Sequence, residues 1–236
     1  MIAVTFALPT ESSAFVRLLR DPKKSVRNGV PILHGDIGEA RVEILHTGVG
    51  AKICRSRVGN FLAGGDHQTL VSAGFAGGTT DKIDIADLVL GENFSSPQLL
   101  SKARQLLPES FTRVGKLLTV DAIIDRVEER NELARKTGAI AIDMETECIA
   151  EACAARGLPM LSLRAITDTP SEPFPMPSNV LFDLDRQRTN FKALAFYLTR
   201  HPGAIFRLMS FAQRVSRSRA ALTTALDLLV RVFDAA

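Results

Sequence analysis

The stretch Ala139-Ile140-Ala141-Ile142-Asp143-Met144-Glu145-Thr146 decides the fold. Four apolar residues with β-branched isoleucines form a short buried strand. The chain then passes, with no loop, into a segment of helical period. Working outward, the same unit recurs: short apolar runs at 2–8, 41–47, 69–74, 88–91, 117–120 and 160–166 alternate with helical stretches at 11–19, 51–63, 98–107, 128–136 and 145–156. Alternation of this kind predicts an α/β fold of three layers, helices on both faces of a central mixed, mostly parallel sheet. The connector Thr169–Pro177, TPSEPFPMP, holds four prolines and continues neither element. Beyond it the apolar residues recur helically, first as Ile205, Leu208, Met209, Ala212 and Val215 and then as Leu222, Leu226, Leu229, Val230 and Phe233. The expected organisation is an α/β domain over 1–177 and, over 178–236, an extension containing two amphipathic helices packed on the same domain.

Composition narrows the class. With 236 residues and 46% hydrophobic content the chain can bury a large core. No run of eighteen uncharged apolar residues and no signal-peptide pattern is present, so a cytoplasmic protein is expected. Three cysteines, Cys54, Cys148 and Cys153, are too few and too irregular for a disulfide framework, and no Cys/His cluster has zinc-ligand spacing. Neither a structural nor a catalytic metal is expected. The net charge of +3 conceals an asymmetry: residues 186–236 carry nine Lys/Arg against two Asp/Glu. Such a tail suits nucleic acid, an anionic membrane surface or a solvated helix face.

Four further segments bear chemistry. Leu45-His46-Thr47-Gly48-Val49-Gly50-Ala51-Lys52 ends a strand, turns on two glycines and opens a helix. Such a turn presents N–H groups to an anion or a polar sugar, or is only a tight connection. Ser72-Ala73-Gly74-Phe75-Ala76-Gly77-Gly78 ends the next strand with small residues that admit a ligand or another backbone. In Leu161-Ser162-Leu163-Arg164-Ala165-Ile166-Thr167-Asp168 a buried strand delivers an acid at its carboxyl end, where ligands of open α/β sheets gather; the alternative is an aspartate capping its own turn. Glu145 serves either the helix dipole or a ligand's hydroxyls. Glu11, after the first strand, is either a surface residue or part of the same cleft.

The ordered set Thr47–Lys52, Gly74–Gly78, Met144–Glu145 and Arg164–Asp168 resembles the purine nucleoside phosphorylases and the methylthioadenosine/S-adenosylhomocysteine nucleosidases. The resemblance covers roughly residues 1–170. Within that superfamily the wording around Gly138–Glu145, the proline-rich connector and the helical tail look most like the hopanoid-biosynthesis-associated nucleoside phosphorylases. The resemblance implies cleavage of a purine N-glycosidic bond, adenine being the expected base, in a nucleoside with a modified 5′ group. Phosphorolysis is the first expectation, hydrolysis the alternative, and a non-catalytic nucleoside-binding relative the third. Asp168 would protonate the purine at N7, and Glu11 would orient the nucleophile. Met144 and Glu145 would hold the ribose, with Gly48 and Gly74 at the substrate. Phe75 stands where many relatives carry a hydroxyl that binds phosphate or water, and Ile123 where nucleosidases carry an aromatic that stacks on the base. The resemblance implies no resident cofactor, inorganic phosphate as a co-substrate, and a homo-oligomer acting on a small molecule and not on nucleic acid. The basic C-terminal helices are the expected site of any peripheral membrane contact.

Overall fold

A computed structural model describes residues 1–183 and 187–233; of the tail, 184–186 and 234–236 lie outside the described residues. The elements are β1 (Ile2–Phe6), α1 (Pro9–Val16), β2 (Arg20–Arg27), β3 (Val30–Ile37), β4 (Ala40–His46), α2 (Ala51–Leu62), β5 (Thr69–Gly78), β6 (Leu88–Gly91), α3 (Pro97–Leu106), β7 (Thr112–Thr119), α4 (Val127–Thr137), β8 (Ala139–Asp143), α5 (Thr146–Ala154), β9 (Met160–Asp168), α6 (Ser178–Leu181), β10 (Phe182–Asp183), β11 (Arg188–Thr189), α7 (Phe191–Arg200) and α8 (Ala204–Phe233).

Strands β1 to β9 form one mixed sheet in the order β2-β3-β4-β1-β5-β8-β7-β6-β9, and β5 also pairs β9. Five pairings are parallel: β1–β4, β1–β5, β5–β9, β6–β7 and β7–β8. Because β5 bonds both β8 and β9, the pairings β5–β9–β6–β7–β8–β5 close a ring, from which β1, β4, β3 and β2 extend. The carboxyl ends of β1, β4, β5 and β9 fall on the same side, as parallel pairing requires.

Alternation along β1 separates the layers. Ile2, Val4 and Phe6 face a core shared with Phe15 of α1, Leu99 and Ala103 of α3, and Leu222, Leu226 and Leu229 of α8. Ala3 faces the opposite core with Val58 and Phe61 of α2 and Ile149 of α5. Helices therefore cover both faces.

Two features differ from the expectations above. The β2–β3 hairpin is absent from the strands read off the sequence. β2 is exposed along nearly its whole length, so no burial pattern announces it. Its turn, Asn28-Gly29, has both residues at positive φ (49° and 77°), the geometry for which Asn-Gly is preferred. The two expected tail helices are one continuous 30-residue helix, α8. Nothing between Ala212 and Leu222 breaks helical hydrogen bonding, and the apparent division is a change of environment. The second half packs in the core, whereas Ile205 and Met209 of the first are exposed. Among the described residues no helix is long and apolar enough to cross a membrane.

Candidate active site

The ends of the central strands enclose a cleft of about 370 Å³, walled by Glu11, Phe75, Ile123, Met144, Glu145 and Asp168 together with side chains of α8. The cavity falls in the ~300–1,000 Å³ range of small-molecule sites. Three acids from three distant segments thus meet, and each is buried.

Glu11 lies in the first turn of α1. Its Oε2 accepts hydrogen bonds from the N–H groups of Ala7 (2.8 Å) and Leu8 (3.1 Å), and its Oε1 from Phe75 N–H (3.2 Å). Desolvation nevertheless dominates and raises its pKa, with the backbone donors and the Arg164 charge pulling the other way. Gly74 sits directly beneath: a Cβ there would lie 3.5 Å from both carboxylate oxygens.

Glu145 begins α5, and its Oε1 accepts from Gly50 N–H at 2.8 Å. Burial, followed by the charge of Asp143, pushes its carboxyl up to about 8. Met144 and Ile123 are half-buried along the same wall.

Asp168 ends β9. Its Oδ1 accepts from the Thr167 hydroxyl at 2.8 Å, and its Oδ2 from Arg130 Nη2 at 2.5 Å. Burial raises its pKa against the opposing pull of the Arg130 guanidinium.

Two arginines organise these acids. Arg164, buried in β9, donates from Nε and Nη2 to Asp143 Oδ2 (3.0 and 2.8 Å) and from Nη1 to the Ser72 carbonyl (2.6 Å). Asp143 also accepts from Thr119 and Thr146, so the ends of β7 and β8 are tied to the middle of β5 and β9. Arg130 was not singled out in the sequence. It reaches from α4 to Asp168, to the Gly78 carbonyl (3.2 Å) and to the Ile124 carbonyl (2.8 Å). Gly77 leaves room for this pair, since a Cβ there would stand 2.9 Å from Asp168 Oδ2.

The glycine turn behaves differently from the anion cradle considered above. Gly48 and Gly50 take positive φ (78° and 94°), which lets the turn close tightly. Its amides are met by protein acceptors: Gly48 N–H donates to the Ala7 carbonyl (3.0 Å), Val49 N–H to Gln187 Oε1 (2.6 Å), and Gly50 N–H to Glu145. Gly48, expected at the substrate, is set behind Val49, which forms the cleft wall. Deeper in, a recess of about 10 Å³ is bounded by Glu11, Gly74, Phe75, Glu145 and Arg164. That is at the lower limit of the space that holds one water.

Comparison with known proteins agrees with this architecture. Residues 92–199 match the family model of the Phosphorylase superfamily. The chain is 26% identical over 154 residues to a DeoD-type purine nucleoside phosphorylase of Streptococcus pyogenes serotype M4 (strain MGAS10750), covering 56% of this chain and 65% of that one, just under two thirds of its length. It is 26% identical over 168 residues to a 5′-methylthioadenosine/S-adenosylhomocysteine nucleosidase of Baumannia cicadellinicola subsp. Homalodisca coagulata, covering 58% and 70%. The nucleosidase of that name from Colwellia psychrerythraea 34H, solved with adenine, superposes with a TM-score of 0.75 at 14% identity over 98% of this chain and 94% of that one. The chain therefore has the fold of the nucleoside phosphorylases and nucleosidases, and in motif order and family model it resembles the Phosphorylase superfamily.

Proposed function

We propose that the protein cleaves the N-glycosidic bond of a purine nucleoside, with water as the nucleophile. The observation that carries this is the convergence of Glu11, Glu145 and Asp168 on one cleft, with a water-sized recess between the first two. Breaking the bond leaves a cationic, oxocarbenium-like sugar and a base that departs more easily once protonated. Asp168, buried and raised in pKa, protonates N7 as the C1′–N9 bond breaks. Met144 packs against the ribose, and Glu145 hydrogen-bonds its hydroxyls. A water in the recess attacks C1′ and gives up a proton to Glu11, whose raised pKa suits it to accept one. The products are free purine and a reducing sugar.

Water is favoured over phosphate for four reasons. The recess is too small for phosphate, the turn amides already have acceptors, and Phe75 brings no hydroxyl. Two carboxyl groups beside the nucleophile also disfavour a dianion. The 5′ group points to the remaining wall. Leu8, Phe174, Leu208, Phe211 and Val215 make that side apolar, which suits a large apolar 5′ substituent. A hopanoid-linked nucleoside, implied by the resemblance, is the specific candidate.

The test is product analysis of adenosine and a 5′-alkyl adenosine, with and without phosphate. Expected are phosphate-independent release of base and reducing sugar, a higher kcat/KM for the alkyl compound, and a loss of about 10² to 10⁴ in rate for Asp168→Asn. Ribose-1-phosphate formed only with phosphate would replace water by phosphate. A folded Asp168→Asn protein of undiminished rate would remove Asp168 from the reaction.

A further inference from the structure

Among the described residues ten large hydrophobic side chains are exposed, and five of them fall in the nineteen residues 191–209. Phe191 and Phe206 are each 74% exposed, and Phe196, Ile205 and Met209 share the surface. No residue of α7 is buried, so these phenyl rings are not the inner face of a packed helix. Scattered apolar residues on a surface are ordinary; a cluster of this density on adjoining elements marks an interaction site.

Along the sequence the charge flanking the cluster has one sign. Between residues 186 and 226 the sequence has eight Lys/Arg and no Asp or Glu. Lys192 and Arg200 flank the aromatics of α7, and the Arg200 guanidinium lies 3.8 Å from the Phe196 ring centroid. Aromatic and aliphatic side chains beside cations, with no acid among them, complement a surface that is apolar within and anionic at its boundary. A second copy of the chain fits poorly. A two-fold contact sets the same patch against itself, opposing like charges with no acid to pair them.

The first turns of α8 also have an inner face. Leu208, Phe211 and Val215, at i, i+3 and i+7, line the cleft, while Ile205, Phe206 and Met209 lie on the outer patch. The apolar lip of the cleft and the exposed patch are therefore opposite faces of one helical segment.

We propose that α7 and the first turns of α8 dock the protein on an anionic lipid surface, bringing the mouth of the cleft to the bilayer boundary. The rings of Phe191, Phe196 and Phe206 enter the acyl boundary, and Lys192, Arg200 and Arg207 meet the headgroups. Docking is separable from the reaction proposed above, because none of these six side chains lines the cleft.

The test is flotation of the intact protein with vesicles of phosphatidylcholine alone or mixed with phosphatidylglycerol, at low and high ionic strength. Wild type, Phe191→Ser/Phe206→Ser and Lys192→Gln/Arg200→Gln are compared, and turnover of a soluble nucleoside is followed in the same preparations. Expected is binding that requires phosphatidylglycerol and weakens with salt. Each phenyl removed lowers the partition coefficient about tenfold, and turnover of the soluble substrate does not change. Absence of binding to the anionic vesicles at low salt overturns the proposal, as does binding that the Phe191→Ser/Phe206→Ser protein retains in full. A wild-type dimer that dissociates in that variant, seen by sedimentation, overturns it too by assigning the patch to a second copy.

Discussion

Glu145 illustrates how one residue couples the cleft to the stability of the whole. In the folded chain burial and the neighbouring Asp143 hold its carboxyl at about 8, whereas its ordinary value is 4.5. Between those values the native state keeps a proton that the unfolded chain has released. The associated stability is complete below about pH 4.5 and is lost as pH rises towards 8, by at most about 1.4 kcal/mol per pH unit for one group. Glu11 and Asp168, also raised, act with the same sign. Urea midpoints at pH 5, 6.5 and 8 are therefore expected to fall for wild type, and to fall less steeply for Glu145→Gln. Parallel slopes in the two proteins would mean that Glu145 is ionised throughout and that its burial is offset by groups other than those named. All three acids were legible in the sequence because each adjoins a strand end or a glycine-rich turn, places where backbone geometry limits what a side chain can do. Arg130 was not. In Glu128-Glu129-Arg130-Asn131-Glu132 it is one charge among several on a polar helix, and only the approach of Gly77 and Asp168 from other strands makes it a buried residue.

Helix α4 shows what that concealment means for an element. Glu128 and Glu129 in its first turn and Arg135 and Lys136 in its last complement the helix dipole, and Arg130 is its one buried residue. The guanidinium pins the helix to three other segments, through Asp168, the Gly78 carbonyl and the Ile124 carbonyl. Arg130→Met removes the donor but keeps much of the bulk, leaving the Asp168 carboxyl and the Gly78 and Ile124 carbonyls without their hydrogen bonds. A hydrogen bond involving a charged group contributes about 1.5–3 kcal/mol. Chemical denaturation should show a loss of that order at neutral pH and a smaller one in an Asp168→Ala background, where the partner carboxyl is gone. Strictly additive effects would mean that the two carbonyl contacts, and not the contact with Asp168, hold α4. The β2–β3 hairpin is concealed by a different cause. Period-two patterning reports burial of one face, and a strand exposed on both has none, so only its Asn28-Gly29 turn carried a signal.

At the scale of the whole molecule the open issue is whether the chain beyond the proline-rich connector is a separate body. Composition changes sharply there, from an acidic excess to a basic one, and on composition alone the tail reads as an appendage. The packing argues for unity over the second half of α8. Leu222, Leu226, Leu229, Val230 and Phe233 share one core with β1, β5 and β9, and the Ser218 hydroxyl donates to the Ile166 carbonyl at 2.6 Å. Arg214, buried, donates to the carbonyls of Glu172 and Pro173, which fastens the connector as well. A helix whose inner stripe completes the core cannot melt first without exposing the sheet face beneath it. Thermal unfolding should therefore be a single transition, with helical signal and amide-hydrogen protection of the central strands lost together. Leu226→Ala, at a fully buried position, should destabilise by about 2–5 kcal/mol and lower that one midpoint without dividing it. The first half of α8 and α7 bury little, so substitutions at Phe191 or Phe206 should leave the midpoint within about a degree or two, the order expected for surface changes of about 0.5 kcal/mol or less. A low-temperature step in which helical signal falls while amide-hydrogen protection of β1, β5 and β9 persists would show that α8 docks on a core already complete without it.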